Sequence, residues 1–389
     1  MKNILLLNKI AKIGTDRLDT TVYQCGADVE APVGIMVRSA KLHDMTFNPE
    51  LLAIARAGAG VNNIPVARCA EEGIVVFNTP GANANGVKEL AICALLLASR
   101  DIVGGVNWAR SLAGTPDVAK QVEAGKSQFG GVEIKGKTLG VIGLGAIGGL
   151  VANAAVKLGM NVIGCDPYLS VAGAWNLDHH VQKAATYEEV YQKADYITLH
   201  VPATETTTGM INKDTIATMK KGVKIINLAR AELVKAADLA EAMASGAISA
   251  YVTDFPTEET VSIPGVIVIP HLGGSTEESE ENCAVMAADE LHEYIAYGNI
   301  VNSVNYPGVS MPVSTKARVC VLHANIPAVL ANVSAVMAKD GINIENMVNK
   351  SKGENAYTIV EVNDTVTAEA EADILALEGV RRVRTIYFE

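Results

Sequence analysis

Aromatic side chains make up only 5% of the 389 residues, with two tryptophans among them, so the cores must be aliphatic. There is no Lys/Arg block and the formal net charge is −11, which excludes the electrostatic footprint of a nucleic-acid or anionic-membrane partner. No C-x-x-C occurs. The six cysteines (Cys25, Cys69, Cys93, Cys165, Cys283 and Cys320) are scattered, without a histidine at ligand spacing. That excludes a disulfide framework and a structural metal site, and reads as reduced core thiols of a cytoplasmic protein. The apolar start, Asn3 to Asn8, is too short for a signal-peptide core or a membrane span and reads as a first strand.

What is present is length and apolar content. A chain of 389 residues, 49% hydrophobic, is too long for one ordinary core, so two or three domains are expected. They are organised around Lys137 to Gly148, an apolar run that ends in Gly143-Leu144-Gly145-Ala146-Ile147-Gly148. Apolar residues at Ile147, Leu150, Val151, Ala154, Ala155 and Leu158 then obey the i, i+3, i+4, i+7 rule of a helix with one buried face. A second apolar strand, Val162 to Cys165, delivers Asp166 eighteen residues after Gly148. Strand, G-x-G-x-x-G, helix, strand and acid together are the fingerprint of a dinucleotide site. Gly143 permits the tight turn, Gly145 lets the backbone approach a pyrophosphate, and Gly148 lets the helix pack close. The helix N-terminus offers unpaired N–H groups to the phosphates. Asp166 can accept from both ribose hydroxyls and repels a 2′-phosphate, which favours NAD over NADP.

Before this unit, apolar strands alternate with helices up to about Pro80. The strand Val33–Val37 delivers Arg38 and Ser39, and Leu51–Ala55 runs into Arg56, Ala57, Gly58, Ala59 and Gly60. Ligands of open α/β sheets gather at such carboxyl ends, and an arginine beside glycine N–H groups suits an anion. Leu90–Ala98 is apolar nearly all round and reads as a buried helix, or one at a subunit interface. After Asp166, further parallel strands end in His200, Arg230, Asp254 and His271. A helix over Glu277–Tyr297 comes next, with Ser275 and Glu278 as a capping box. Asn305 to Pro312 has the Pro and Gly of a linker. The remainder reads as βαββαβ, with a strand over Ile342–Asn349 among its four; it is ferredoxin-like and small enough to need a docking partner.

Oxidising an alcohol beside a carboxylate requires a base for the hydroxyl proton. His271 just past a strand suits that role, with Glu259 able to fix its tautomer and Arg230 able to clamp the carboxylate. His200 and His323 compete on composition.

The chain resembles the D-isomer-specific 2-hydroxyacid dehydrogenases, in the D-3-phosphoglycerate dehydrogenase form that carries a C-terminal ACT domain. The resemblance rests on Val37–Ala40, Arg56–Ile64, Asn78–Pro80, Gly143–Gly148, Asn227–Arg230, Asp254–Glu259 and Pro270–Thr276. It implies an α/β fold: a Rossmann-type doubly wound parallel sheet (93–285) inserted in a flavodoxin-like substrate domain (1–92 and 286–305). A linker (306–316) and a ferredoxin-like βαββαβ ACT domain (317–389) would complete the chain, in a homo-oligomer. It implies NAD bound along Gly143, Gly145, Ala146, Ile147, Gly148, Asp166, Pro167, His200, Val201, Pro202, Leu228, Ala229, Arg230, Asp254, His271, Gly273 and Gly274. The catalytic set would be Arg230, Glu259 and His271. D-3-phosphoglycerate would contact Arg38, Ser39, Arg56, Gly58, Ala59, Gly60, Arg230 and His271. In the ACT unit, His323, Asn325 and Asn343 would hold an L-serine effector.

This sequence departs from the family pattern at several places. Ala231 stands after Arg230 where the family has glycine, Thr260 replaces a proline, and Gly86 and Lys88 stand for Ser and Ala. Ala328 takes the place of a glycine in the effector loop. Another 2-hydroxyacid dehydrogenase, acting on D-lactate or glycerate, is the alternative enzyme. A non-catalytic NAD or amino-acid sensor on this fold is the alternative outside enzymes.

Overall fold

A computed structural model describes residues 1–388. The chain divides into two compact units: Met1–Asn83 with everything from Glu280 onward, and Ala84–Ser279.

In the first unit short strands pair in parallel, and three of them, made mostly of small and branched residues, are buried on both faces. The strands are β1 (Lys2–Leu7), β2 (Tyr23–Gly26), β3 (Gly34–Val37), β4 (Ala53–Arg56) and β5 (Val75–Asn78), in the order β2-β1-β3-β4-β5. Val37 lies opposite Arg56 in the β3–β4 register, so the segments after both strands leave the same end of the sheet.

The second unit holds seven parallel strands in the order β12-β11-β10-β9-β6-β7-β8. They are β6 (Thr138–Ile142), β7 (Asn161–Cys165), β8 (Gln182–Lys183), β9 (Tyr196–Leu199), β10 (Val223–Asn227), β11 (Ile248–Thr253) and β12 (Val266–Val268). The order in which strands are added reverses at β6, whose neighbours are β7 and β9. That is the switch point where open α/β sheets bind ligands.

The helix Ala84–Ser99 lies wholly in this unit, so the chain passes between units at Asn83/Ala84 and Ser279/Glu280 rather than near 92 and 285. It is not buried all round. Ala91, Ala94, Leu95 and Ala98 are in the core, while Cys93 and Leu96 face outward. Small residues let one side approach the sheet closely, and within the unit nothing covers the opposite side. Cys93 is therefore an exposed thiol and not a core residue; all six cysteines are free.

The C-terminal βαββαβ order is present, as β13 (Ala317–Ala324), β14 (Asn346–Lys352), β15 (Asn355–Val362) and β16 (Val380–Tyr387) in an antiparallel sheet ordered β14-β15-β13-β16. Its helices are Val329–Lys339 and Ala368–Leu375. β14 starts later than the sequence suggests, because Ile342 drops into the core under these helices and the hairpin pairs Lys352 with Asn355.

Alternation on β13 sends Ala317, Val319 and Val321 toward the module's own helices. Cys320 and Leu322, with Tyr357 and Ile359 of β15, enter the same core as Ile4, Phe77, Leu291 and Tyr294. The expected linker is part of that core: Tyr306 and Val309 are fully buried, and the Tyr306 hydroxyl donates to the Ala70 carbonyl at 2.6 Å. Arginines of β16 continue the docking, with Arg381 donating to the Ala70 carbonyl, Arg382 to that of Glu72 and Arg384 to that of Ile295. The module is thus no appendage on a flexible tether. Each large apolar side chain uncovered costs about 1.5–3 kcal/mol. A chain ending at Ser310 should therefore melt at lower temperature and bind a hydrophobic dye; an unchanged melting temperature would show that this docking contributes nothing. No helix among the described residues is long and apolar enough to cross a membrane.

Candidate active site

The glycine turn is built as its residues require. Gly143 has φ +88, a conformation that favours glycine, and a Cβ there would lie 2.6 Å from the His200 carbonyl oxygen. A Cβ on Gly148 would strike the Gly143 carbonyl oxygen, whereas the space beside Gly145 is open. Ala146 opens the helix Ala146–Lys157, with Ile147 in its first turn. Asp166, just past β7, accepts from the Leu144 N–H at 2.9 Å and from the Tyr168 N–H at 2.8 Å. Its carboxylate thus steadies the turn and the segment through Pro167 while keeping acceptor capacity for ribose hydroxyls.

On the other side of the switch point, His200 is tied back to Thr198, Nε2 to Oγ1 at 2.9 Å, and burial pushes its pKa down to about 4. It is a neutral wall with Val201 and Pro202, not a competing base. Asn227, fully buried at the end of β10, accepts from the backbone N–H groups of Ala229 and Arg230 and donates to the Arg230 carbonyl. That turn buries Leu228 and presents the Arg230 side chain at the surface.

Phe255 gathers the reactive side chains. The Arg230 guanidinium lies 5.6 Å from the Phe255 ring centroid, and the His271 ring centroid lies 4.4 Å from it on a tilted stack. Arg230 and His271 are therefore grouped around one aromatic ring. Asp254 beside it is 1% exposed. Oδ2 accepts from the Gly273 N–H at 3.3 Å, and Oδ1 is buried without a hydrogen-bond partner among the described residues. Burial pushes this carboxyl up, opposed by the Gly273 N–H and by the charges of His271 and Arg230. A buried acceptor left open beside the Gly273-Gly274 loop fits a bound amide donor, and with the turn and Asp166 the residues fit a nicotinamide dinucleotide.

Glu259 is placed differently from the expectation. It is exposed, and its carboxylate is held below its ordinary value by its own backbone N–H and by the Thr257 hydroxyl. No hydrogen bond joins it to His271 among the described residues; the short Glu258–Ser262 turn takes it up instead. The cap of the next helix is also shifted. The helix starts at Glu277, so Thr276 caps it by accepting from the Ser279 N–H, in place of Ser275 with Glu278.

In the first unit, Arg38 comes directly after β3 and Arg56 ends β4, and Arg56 Nε donates to the Arg38 carbonyl at 3.1 Å. Gly58 lies against the Arg56 guanidinium, where a Cβ would collide with it. The Ser39 N–H donates to Asn8, and the Ala59 carbonyl, next to Gly60, accepts from Asn78. Arg38 is ion-paired with Glu280 at 2.7 Å.

No hydrogen bond joins His323, Asn325 and Asn343 to one another among the described residues. His323 is buried and its Nε2 faces Thr358 at 2.9 Å and Asn349 at 3.3 Å; Asn325 donates to the Gly353 carbonyl, and Asn343 to Glu345. Ala328 sits at φ +68, strained for a residue with a Cβ.

Phe255, and Asn227 as an anchor, were given no role from the sequence, where Gly86 stood only as a departure from the family pattern. A Cβ on Gly86 would lie 2.7 Å from Ser279 Oγ and 3.0 Å from the Gly273 carbonyl oxygen. The departure at Gly86 thus lets the helix Ala84–Ser99 start hard against the glycines after His271. The signal available was the glycine itself, in the first turn of a helix.

Turn, acids and the Arg–Phe–His group define a dinucleotide-dependent oxidoreductase. A family model described as the NAD binding domain of D-isomer specific 2-hydroxyacid dehydrogenases matches residues 105–273. The D-3-phosphoglycerate dehydrogenase of Escherichia coli (strain K12) is 30% identical over 374 residues, 91% of this chain and 86% of that protein. The putative D-3-phosphoglycerate dehydrogenase of Schizosaccharomyces pombe is 32% identical over 356 residues, 85% of this chain and 72% of that protein. The NAD+-bound 3-phosphoglycerate dehydrogenase of Entamoeba histolytica matches in structure with a TM-score of 0.61 at 25% identity, over 78% of this chain and 98% of that chain. The chain belongs to the D-isomer-specific 2-hydroxyacid dehydrogenases, among relatives named D-3-phosphoglycerate dehydrogenase, and is an NAD-dependent dehydrogenase.

Proposed function

We propose that the chain oxidises D-3-phosphoglycerate to 3-phosphohydroxypyruvate, the entry into phosphorylated serine biosynthesis. The observation that carries this choice of substrate is the pair Arg38 and Arg56 at the ends of adjacent strands, with Arg56 locked to the Arg38 backbone. Two guanidinium groups on neighbouring strands suit a phosphate, which D-lactate and unphosphorylated glycerate do not offer. Substrate phosphate would have to take Arg38 from Glu280. NAD held at the Gly143–Gly148 turn, Asp166 and Asp254 would supply the hydride acceptor for C2 of the substrate. Arg230 holds the substrate carboxylate and His271 takes the hydroxyl proton as general base. Glu259 would need its turn to open before it could bond the imidazole.

The test is NADH formation from D-3-phosphoglycerate with a hydrazine trapping the keto product, against D-lactate and D-glycerate. Preference for an unphosphorylated acid would remove the arginine reading. NAD should serve better than NADP, and Asp166→Ala should weaken NAD more than NADP, since only NAD keeps both ribose hydroxyls for the carboxylate. Equal use of the two coenzymes by the wild type would overturn the assignment of Asp166.

A further inference from the structure

The helix Glu277–Tyr297 turns one stripe, including Val285, Met286, Asp289, Glu290 and Glu293, toward a pocket of about 500 Å³ whose other walls are Gly81–Ala82 and Val301–Asn302. None of the dehydrogenase roles above uses it. Glu290 is 4% exposed there. Its Oε1 accepts from Asn302 Nδ2 at 2.8 Å, and its Oε2 is buried with no hydrogen-bond partner among the described residues. Asn302 holds this position from a left-handed conformation, φ +55. A half-satisfied buried carboxyl is destabilising unless a donor completes it.

The lining decides which donor fits. It contains three carboxyl groups and no lysine, arginine or histidine, which excludes an anion. Asp289 is engaged by Arg17 at 2.9 Å and Glu293 Oε2 by Asn299 at 3.0 Å, and among the three Glu290 is the carboxyl with a buried oxygen that no donor meets. Ala82, Val285, Met286 and Val301 give apolar wall for a few methylene groups. A divalent cation needs six or more oxygens, and both oxygens of Asp289 and one each of Glu290 and Glu293 already accept from Arg17, Asn302 and Asn299. An ammonium needs only a compact acceptor and tolerates an apolar stem.

We propose that this pocket binds a small aliphatic amine, its ammonium donating to Glu290 and its methylenes resting on Val285, Met286 and Val301. The bound amine requires the carboxylate form, yet burial, with a smaller push from Asp289, lifts the Glu290 pKa to about 8 in the amine-free protein. Asp289 and Glu293 on the same helix and Arg17 across from it are the other charged groups around the site; the 81–82 and 301–302 walls bring none. Binding therefore releases a proton below that pH and tightens as pH rises toward about 8, by up to about tenfold per unit.

Calorimetry of the full chain with 1,4-diaminobutane tests this. One equivalent should bind, more tightly at about pH 8.5 than at about pH 6.5. Glu290→Gln keeps an acceptor for Asn302 and should weaken binding by roughly tenfold to a hundredfold, without lowering the melting temperature. Should that variant fail to fold, Val301→Arg, at an exposed edge of the pocket, places a cation there and should abolish binding. Equal diamine affinity in Glu290→Gln, no heat at millimolar diamine with the wild type, or displacement of the diamine by equimolar Mg²⁺ would each overturn the proposal.

Discussion

Replacing His271 by alanine should lower kcat by about 10²–10⁴, the usual worth of a positioned general base, with NADH affinity little changed. The separation comes from where the contacts fall. The elements that fit the dinucleotide are the Gly143–Gly148 turn, Asp166 and the open oxygen of Asp254, and none of them depends on the imidazole. His271 instead leans on Phe255, the ring that also faces the Arg230 guanidinium. Stopped-flow NADH binding and steady-state turnover on one preparation provide the check. A fall in kcat smaller than tenfold would move the base elsewhere. The role of Glu259 is read separately from the pH profile of kcat/KM. If the Glu258–Ser262 turn opens when substrate binds and its carboxylate reaches the imidazole, Glu259→Gln lowers the pH at which activity appears. If the turn stays as it is here, the profile does not move and Glu259 has no part in setting the base.

The second large effect concerns Arg318 and Glu361, an ion pair of 2.6 Å with both side chains fully buried. Arg318 also donates to the carbonyls of Tyr297, Met311 and Pro312, so one guanidinium closes the end of the Glu277–Tyr297 helix and the segment leading into β13. Arg318→Met leaves an uncompensated buried carboxylate and several unpaired carbonyls, and should destabilise by about 3–5 kcal/mol, seen as a drop of about 10 °C in Tm. Adding Glu361→Leu to that variant should recover part of the loss, because the orphaned charge is gone. Burial by itself would raise the Glu361 carboxyl, but Ser314 and Arg318 hold it below its ordinary value. A depressed carboxyl contributes stability above its unfolded pKa, lost as pH falls through the folded one. Acid melting of the wild type should show this loss below the ordinary glutamate range, and Arg318→Met should not. Equal acid sensitivity in the two proteins would show that the pair contributes no net stability.

Much of the dinucleotide site was legible in the residues alone. Gly143, Gly145, Gly148 and Asp166 specify a turn, a helix start and an acid through interactions a few positions apart, or across one strand pair. Local chemistry of that kind survives in the order of the letters. The βαββαβ order of the last unit was legible for the same reason, since alternation and helical period are local. What the Cys320 and Leu322 face of β13 packs against was not legible, because these residues meet Ile4 and Phe77 from far along the chain. The segment expected as a linker reads as one by composition, yet Tyr306 turns inward to a carbonyl of Ala70. Arg318, an ordinary surface residue by type, is fully buried because five acceptors from three separate stretches converge on it. The partners of Glu259 and His323 were hidden by the same limit: type and spacing show what a side chain can bond, while the nearest available partner decides what it does bond. For Glu259 that partner is its own turn, and for His323 it is Thr358. The sequence by itself determined the cofactor turn and the order of elements, which rest on short-range sterics and periodicity. The tertiary structure alone decided the docking of the C-terminal sheet, the grouping of Arg230 and His271 around Phe255 and the half-satisfied Glu290, because each depends on contacts that only the closed fold supplies.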